Sequence, residues 1–141
     1  MKTIGNTIIK PHVVVIDDSL MLLKFLNVFL SKEYEVTSYT STSDALNDLS
    51  EGCVSPDCIL TDYYLGRDLN GLEFIQNLKA VNPTIPVLVL SGSVDMTEKI
   101  ECLQNGAVDF ISKPFNPIEL DARLKNVLCN SSNVNYYRHA V

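Results

Sequence analysis

Four apolar runs in this chain each lead into polar groups suited to chemistry. Val13-Val14-Val15-Ile16 leads into Asp17 and Asp18, Cys58-Ile59-Leu60 into Asp62, Val87-Leu88-Val89-Leu90 into Ser91, and Phe110-Ile111-Ser112 into Lys113. As parallel strands of one sheet, the runs would share an edge at their carboxyl ends, where open α/β sheets bind ligands. Three carboxylates, one hydroxyl and one ammonium then converge on a single rim. Neighbouring carboxylates repel, and without a counter-charge at least one pKa must rise. A hard divalent cation resolves this, and Mg²⁺ suits because it takes a few carboxylate oxygens and keeps several waters. With Lys113 as a further positive charge and Ser91 as a donor, the set makes a cradle for a phosphoryl group. A carboxylate attacks phosphorus while the cations neutralise the equatorial oxygens.

Singly, each residue has a plainer reading. Asp17 and Asp18 would cap a helix, Ser91 would be one strand-end hydroxyl among many, and Lys113 a surface lysine beside a turn proline. Tyr63, Tyr64 and Phe110 would be half-buried aromatics. Only the convergence of charges from separate strands carries the chemistry.

The elements needed to bring them together are legible in the hydrophobic periodicity. The continuous run at Val13–Ile16 marks a strand covered on both faces. Ser19 caps a helix running to about Lys32, with Leu22, Phe25, Leu26, Phe29 and Leu30 on its inner side. Tyr34 to Tyr39 is a second strand. Ser43 caps a short helix through Ala45, Leu46 and Leu49, closed by Gly52. Cys58-Ile59-Leu60 is a third strand, and a helix with Leu72, Phe74, Ile75 and Leu78 stops before Pro83. Pro86 opens the fourth strand, Met96 to Gln104 is helical, and Val108 to Ile111 is the fifth strand. Asn116-Pro117 starts a last helix with Ile118, Leu120, Leu124, Val127 and Leu128, proline being tolerated best at that position. Such a βα repeat builds a parallel sheet with helices on both faces.

The 141 residues suit one compact domain, and 46% hydrophobic with 20% charged residues is a globular balance. A net charge of −6 argues against direct nucleic-acid binding, which needs lysine and arginine. Leu20 to Leu30 is interrupted by Lys24 and Asn27 and is too short to span a bilayer, and Met1 to Pro11 lacks the apolar segment of a secretory signal. The expectation is a cytoplasmic protein that does not engage membranes. Cys53, Cys58, Cys102 and Cys129 are irregularly spaced, so they read as reduced and structural, while His12 and His139 have no metal-ligand spacing. Residues 1–11 read as an N-terminal extension, 12–129 as the domain, and 130–141 as a polar tail or the start of a linker. Too little chain follows the last helix to fold as an output domain.

Taken together, the segments V-V-V-I-D-D-S, C-I-L-T-D-Y-Y-L, P-V-L-V-L-S-G and G-A-V-D-F-I-S-K-P-F resemble the receiver domain of a two-component response regulator, from about His12 to Cys129. The resemblance implies a flavodoxin-like doubly wound (βα)5 fold with strand order 2-1-3-4-5. It makes Asp62 the phosphoacceptor. Asp17, Asp18, Asp62 and the Tyr64 backbone carbonyl would hold Mg²⁺, or Mn²⁺ in its place, with Asp18 a direct ligand. Ser91 and Lys113 would each contact a phosphoryl oxygen, and Phe110 would be the aromatic that responds when Ser91 moves. The Lys113-Pro114 bond is expected to be cis. The donor would be a histidine kinase or a histidine phosphotransfer domain. Phosphorylation would alter the face of the fourth helix, fifth strand and fifth helix, for an output domain, a target protein or a second copy.

The sequence departs from the family pattern in places. Gly66 stands where proline is common, and the loop Arg67-Asp68-Leu69-Asn70 before Gly71 is about one residue longer than the family's usual one. Phe110 lacks the hydroxyl of the commoner tyrosine, and Gly92 replaces a small alanine, which loosens the loop after Ser91. Tyr64 is large and close to the path of an attacking water, which predicts slow dephosphorylation. Leu20, Leu23 and Val28 are expected to face outward from the first helix and, with Pro114, to form a docking patch for the donor. Two other functions compete. A Mg²⁺-dependent phosphohydrolase usually has a second aspartate two residues after its nucleophile as the acid, and Tyr64 occupies that place. A pseudo-receiver would be a pure interaction module, for which the full set of acids, Ser91 and Lys113 is a poor fit.

Overall fold

Strands β3 (His12–Ile16), β5 (Cys58–Asp62) and β6 (Val87–Ser91) are almost wholly buried, as their unbroken apolar runs require of strands covered on both sides. With β4 (Glu35–Tyr39) and β7 (Asp109–Ser112) they form a five-stranded parallel sheet in the order β4-β3-β5-β6-β7. Counted within this sheet, the order is the expected 2-1-3-4-5. The computed structural model describes residues 2–4, 7–64, 70–92 and 95–130.

Side chains alternate across each strand, so neighbouring residues feed two separate cores. Val14, Ile16, Ile59, Val87, Val89 and Phe110 pack with Ala45 of α2 (Thr42–Ser50), Phe74, Ile75 and Leu78 of α3 (Gly71–Val81), and Cys102 of α4 (Met96–Gln104). Val13, Val15, Leu60, Leu88 and Leu90 pack on the opposite side with α1 (Leu20–Leu30) and α5 (Pro117–Cys129). Burying each leucine of α1 and α5 that reaches this second core contributes about 2 kcal/mol.

The helix starts follow from side-chain caps. Ser19 accepts from the Leu22 amide, Asn70 from Glu73, Asp95 from Thr97 and Glu98, and Asn116 from Ile118 and Glu119, with Pro117 in the first turn of α5. The cap of α2 is Ser41 rather than Ser43, because the Asp44 amide points back to the Ser41 hydroxyl. Gly52 and Gly106 adopt φ of 73° and 109° just beyond α2 and α4, where other residues would be strained. Helix α1 ends at Leu30, two residues before the expected Lys32, and β7 starts one residue after Val108. Ile118, expected on the apolar side of α5, is 75% exposed. It sits two residues before Leu120, which helical geometry turns to the far side.

Within the N-terminal extension, β1 (Lys2–Ile4) pairs antiparallel with β2 (Thr7–Ile9) as a separate two-stranded sheet. All four cysteines are free, with Cys58 and Cys102 buried. Burial pushes the Cys102 thiol up to about 11, so it stays protonated and inert at neutral pH. Among the described residues, no helix is long and apolar enough to cross a membrane. Gly66, the longer loop up to Leu69 and the tail 131–141 lie outside the described residues.

Candidate functional site

Parallel pairing puts the carboxyl ends of β3, β5, β6 and β7 on one edge, and backbone hydrogen bonds continue past the strand ends into the rim. The Asp17 amide donates to the Tyr39 carbonyl at 3.1 Å, the Tyr63 amide to Leu90 at 3.0 Å, and the Lys113 amide to Ser91 at 2.7 Å. Asp17, Asp62, Ser91 and Lys113 are thereby fixed by the sheet rather than by mobile loops. Lys113 is joined to Pro114 by a cis peptide bond, as the resemblance implied.

One carboxylate oxygen each of Asp17, Asp18 and Asp62 lies within 4.8 Å of the others. Asp17 and Asp62 are buried, whereas Asp18 is exposed. Lys113 Nζ donates to Asp17 Oδ2 at 2.7 Å and stands 3.4 Å from Asp62 Oδ1. The other oxygen of Asp17 accepts the Ser19 amide at 2.9 Å. Asp17 therefore steers the entry of α1, but the cap itself is Ser19, so capping does not account for the aspartate pair. The Asp62 carboxyl is raised above the ordinary aspartate range, first by burial; the Lys113 charge opposes this and the Asp17 charge adds to it. Crowded, hard, partly desolvated oxygens of this kind fit a small divalent cation, and this donor set suits Mg²⁺ better than a thiophilic metal.

Ser91 is fully buried at the end of β6, next in the sheet to β5, which ends in Asp62. Phe110 is 8% exposed and belongs to the core that includes Tyr63, Val89 and Cys102. Its ring is turned inward, the half-buried reading giving way to a buried one. Tyr63 is buried too, while Tyr64 is 47% exposed. Sequence reasoning did not anticipate that the Tyr64 hydroxyl donates to the carboxylate of Glu98 in the first turn of α4, at 2.6 Å to Oε2. Glu98 stands three residues after Asp95, a spacing that reads as the start of a helix and gives no sign of Tyr64.

The docking patch needs correction. Leu23 is 6% exposed and packs in the core with Leu26 and Leu30, so it cannot meet a partner. Phe25, expected inward, is instead 45% exposed. Nine of the eleven residues of LMLLKFLNVFL are apolar, so the helix has little contrast to fix its rotation. The exposed stripe consists of Leu20, Met21, Phe25 and Val28, with the Phe25 ring stacked on Phe29 at 6.0 Å. Leu20 and Val28 are exposed as expected, and so is Pro114.

Comparison with known proteins gives one consistent relationship. The response regulator receiver domain family matches residues 13–125. The transcriptional regulatory protein FixJ of Bradyrhizobium diazoefficiens is 33% identical over 123 residues, covering 84% of this chain and 57% of that protein. Hybrid signal transduction histidine kinase D of Dictyostelium discoideum is 32% identical over 121 residues, again 84% of this chain but 8% of the kinase. Among solved structures, the BeF3-activated DrrB receiver domain superposes with a TM-score of 0.77 at 28% identity, covering 85% of this chain and 98% of that one. The chain thus spans little more than half of the first relative and a small part of the second.

Proposed function

We propose, from the premise that this chain belongs to the response regulator receiver domains of two-component signalling, that Asp62 is its phosphoacceptor and Asp17, Asp18, Ser91 and Lys113 are the groups that serve it. The observation that carries this reading is the single ammonium of Lys113 shared between Asp17 and Asp62, beside three carboxylate oxygens within 4.8 Å of one another. In the transfer, an Asp62 oxygen attacks phosphorus and forms the new P–O bond. The P–N bond to a donor imidazole breaks, and its electron pair returns to nitrogen. Lys113 and the Ser91 hydroxyl each take a phosphoryl oxygen, so the developing charge meets donors already held by the sheet. Asp17, Asp18, Asp62 and the Tyr64 carbonyl would hold Mg²⁺, which supplies charge neutralisation on the phosphoryl oxygens.

Receiver domains are signalling domains, and the chemistry proposed here is confined to gain and loss of the chain's own phosphoryl group. A phosphohydrolase would need an acid two residues after the nucleophile, where this chain has Tyr64. The donor, a histidine kinase or histidine phosphotransfer domain, would dock on Leu20, Met21, Phe25 and Val28 of α1, beside the rim. Met96, Ile100 and Leu103 of α4 leave apolar surface for an output domain, a target protein or a second copy once Ser91 and Phe110 respond to the phosphate. This relay chemistry supports a cytoplasmic setting.

The test is intact mass after incubation with a small phosphodonor and Mg²⁺, beside an Asp62→Asn variant and a Mg²⁺-free control. One added phosphoryl group that needs both Asp62 and Mg²⁺ is the expected result. No adduct from either the small donor or a phosphohistidine protein would turn the reading toward a pseudo-receiver.

A further inference from the structure

Tyr64 and Glu98 are 34 residues apart and belong to the two segments that follow Asp62 and Ser91. The Tyr64 hydroxyl reaches both carboxylate oxygens of Glu98. Its ring meets the Tyr63 ring edge-on, with centroids 4.7 Å apart and planes at 72°. Tyr63 is anchored in turn, its amide donating to Leu90 and its carbonyl accepting from Gly71. Glu98 is equally fixed, because its own amide is capped by the Asp95 side chain at the start of α4. The phenol ring is thus held against the anchored Tyr63 ring and at its hydroxyl, in a bridge from the acceptor loop to α4.

A tyrosine with nearly half its surface in water gains little from packing to keep one rotamer. The charge-assisted bond to Glu98 supplies what packing does not. Loss of the phosphoryl group needs a water oxygen to attack phosphorus. The bond to the Asp62 oxygen then breaks with its electron pair returning to the carboxylate, and the water's proton leaves with inorganic phosphate or to solvent. Such a water comes from solvent, and Tyr64, two positions after Asp62, is 47% exposed.

We infer that Glu98 is a positioning residue for dephosphorylation: by holding the Tyr64 ring between the acceptor loop and α4, it restricts water and lengthens the life of the aspartyl phosphate. The inference rests on Asp62 being the acceptor. Glu98 itself touches neither phosphate nor metal in this scheme, and its effect passes through Tyr64.

The experiment loads the chain with phosphoryl groups, removes the donor, and follows decay of the phosphorylated mass with Mg²⁺ present. Glu98→Ala and Tyr64→Phe should each shorten the lifetime by about two- to tenfold, the range of equilibrium factors of one net hydrogen bond. The double variant should decay no faster than the faster single variant, because both remove the same bond. Glu98→Gln, which keeps an acceptor, should recover part of the lifetime. A melting temperature close to the parent's in Glu98→Ala would separate this from general loosening of α4. Unchanged lifetimes in both single variants, or effects that multiply in the double, would overturn the inference while leaving Asp62 as the acceptor. A parent chain that takes no phosphoryl group from either donor class would overturn both.

Discussion

Lys113 and Asp17 form the shortest ion pair at the rim, 2.7 Å from Nζ to Oδ2, and the same ammonium lies 3.4 Å from Asp62 Oδ1. One partly exposed cation thus serves two buried carboxylates delivered by neighbouring strands. Burial remains the largest influence on Asp62, raising its pKa despite the cation, so compensation is incomplete. A site left short of positive charge in this way favours a further cation such as a divalent metal.

Removing the ammonium should therefore be costly. Lys113→Met leaves Asp17 and Asp62 buried without a partner, and we expect a loss of about 1–3 kcal/mol in chelator, below the full cost of a deeply buried pair because Lys113 is partly exposed. Urea unfolding measures this directly. Added Mg²⁺ should recover part of the loss, since a ligand that binds only the native state stabilises it. An unchanged midpoint in chelator would mean that the ammonium is not what holds the two carboxylates together.

Neutralising the acceptor should have the opposite sign. The folded pKa of Asp62 is raised, so above the unfolded value the native state binds more protons than the unfolded chain, and stability falls as pH rises through that window. Asp62→Asn removes this penalty while Lys113 keeps its bond to Asp17. In chelator at pH 7 the variant should melt about 2–6 °C higher, as ~1 kcal/mol does for a domain of this size. The advantage should vanish below the ordinary aspartate pKa of about 3.9, where both states carry a protonated Asp62. Calorimetry across pH decides it, and equal melting at pH 7 would contradict the raised pKa.

The acid–lysine site was legible because each member ends a run of apolar residues, and parallel strands leave no choice about which edge they share. The bridging role of Lys113 follows from the same geometry. Helix α1 was not legible in rotation: with Leu22, Leu23, Phe25, Leu26, Phe29 and Leu30 all apolar, only the sheet decides which of them it accepts, and it accepts Leu23, Leu26 and Leu30. The pairing of Glu98 was not legible, because its partner is brought to it only by the α3 crossover from β5 to β6. Neither β1 nor β2 was read from the sequence, since three-residue strands carry too little alternation to register as a period.

The corrected rotation of α1 separates docking from stability. Val28→Glu, at a position 73% exposed, should slow transfer from the cognate histidine donor severalfold, leave a small phosphodonor's rate alone, and change stability by no more than about 0.5 kcal/mol. Leu23→Ala, buried at 6% exposure, should instead cost about 2–4 kcal/mol. Parallel transfer assays and unfolding curves give both readouts. Equal transfer rates for Val28→Glu would remove the stripe as a docking surface.

Two glycines beside the rim should respond oppositely to alanine. A Cβ on Gly71 would lie 2.9 Å from the Tyr63 Cα and 3.5 Å from the Asp62 carbonyl oxygen, and the Gly71 amide is already tied to the Tyr63 carbonyl at 2.7 Å. Backbone cannot swing aside as a side chain can, so Gly71→Ala must push the peptide between Asp62 and Tyr64 outward. The expected cost is about 1–3 kcal/mol. Loading of Asp62 should slow as well, because the carboxylate and the Tyr64 carbonyl shift together. Gly92 follows Ser91 and has nothing within 4 Å of a built Cβ. Its φ lies outside the left-handed region, so Gly92→Ala should be neutral or stabilise by up to about 1 kcal/mol through the unfolded chain. Thermal melts and phosphorylation rates of the two variants test the pair. A Gly71→Ala protein that melts and loads like the parent would show that the acceptor loop has slack the close approach denies.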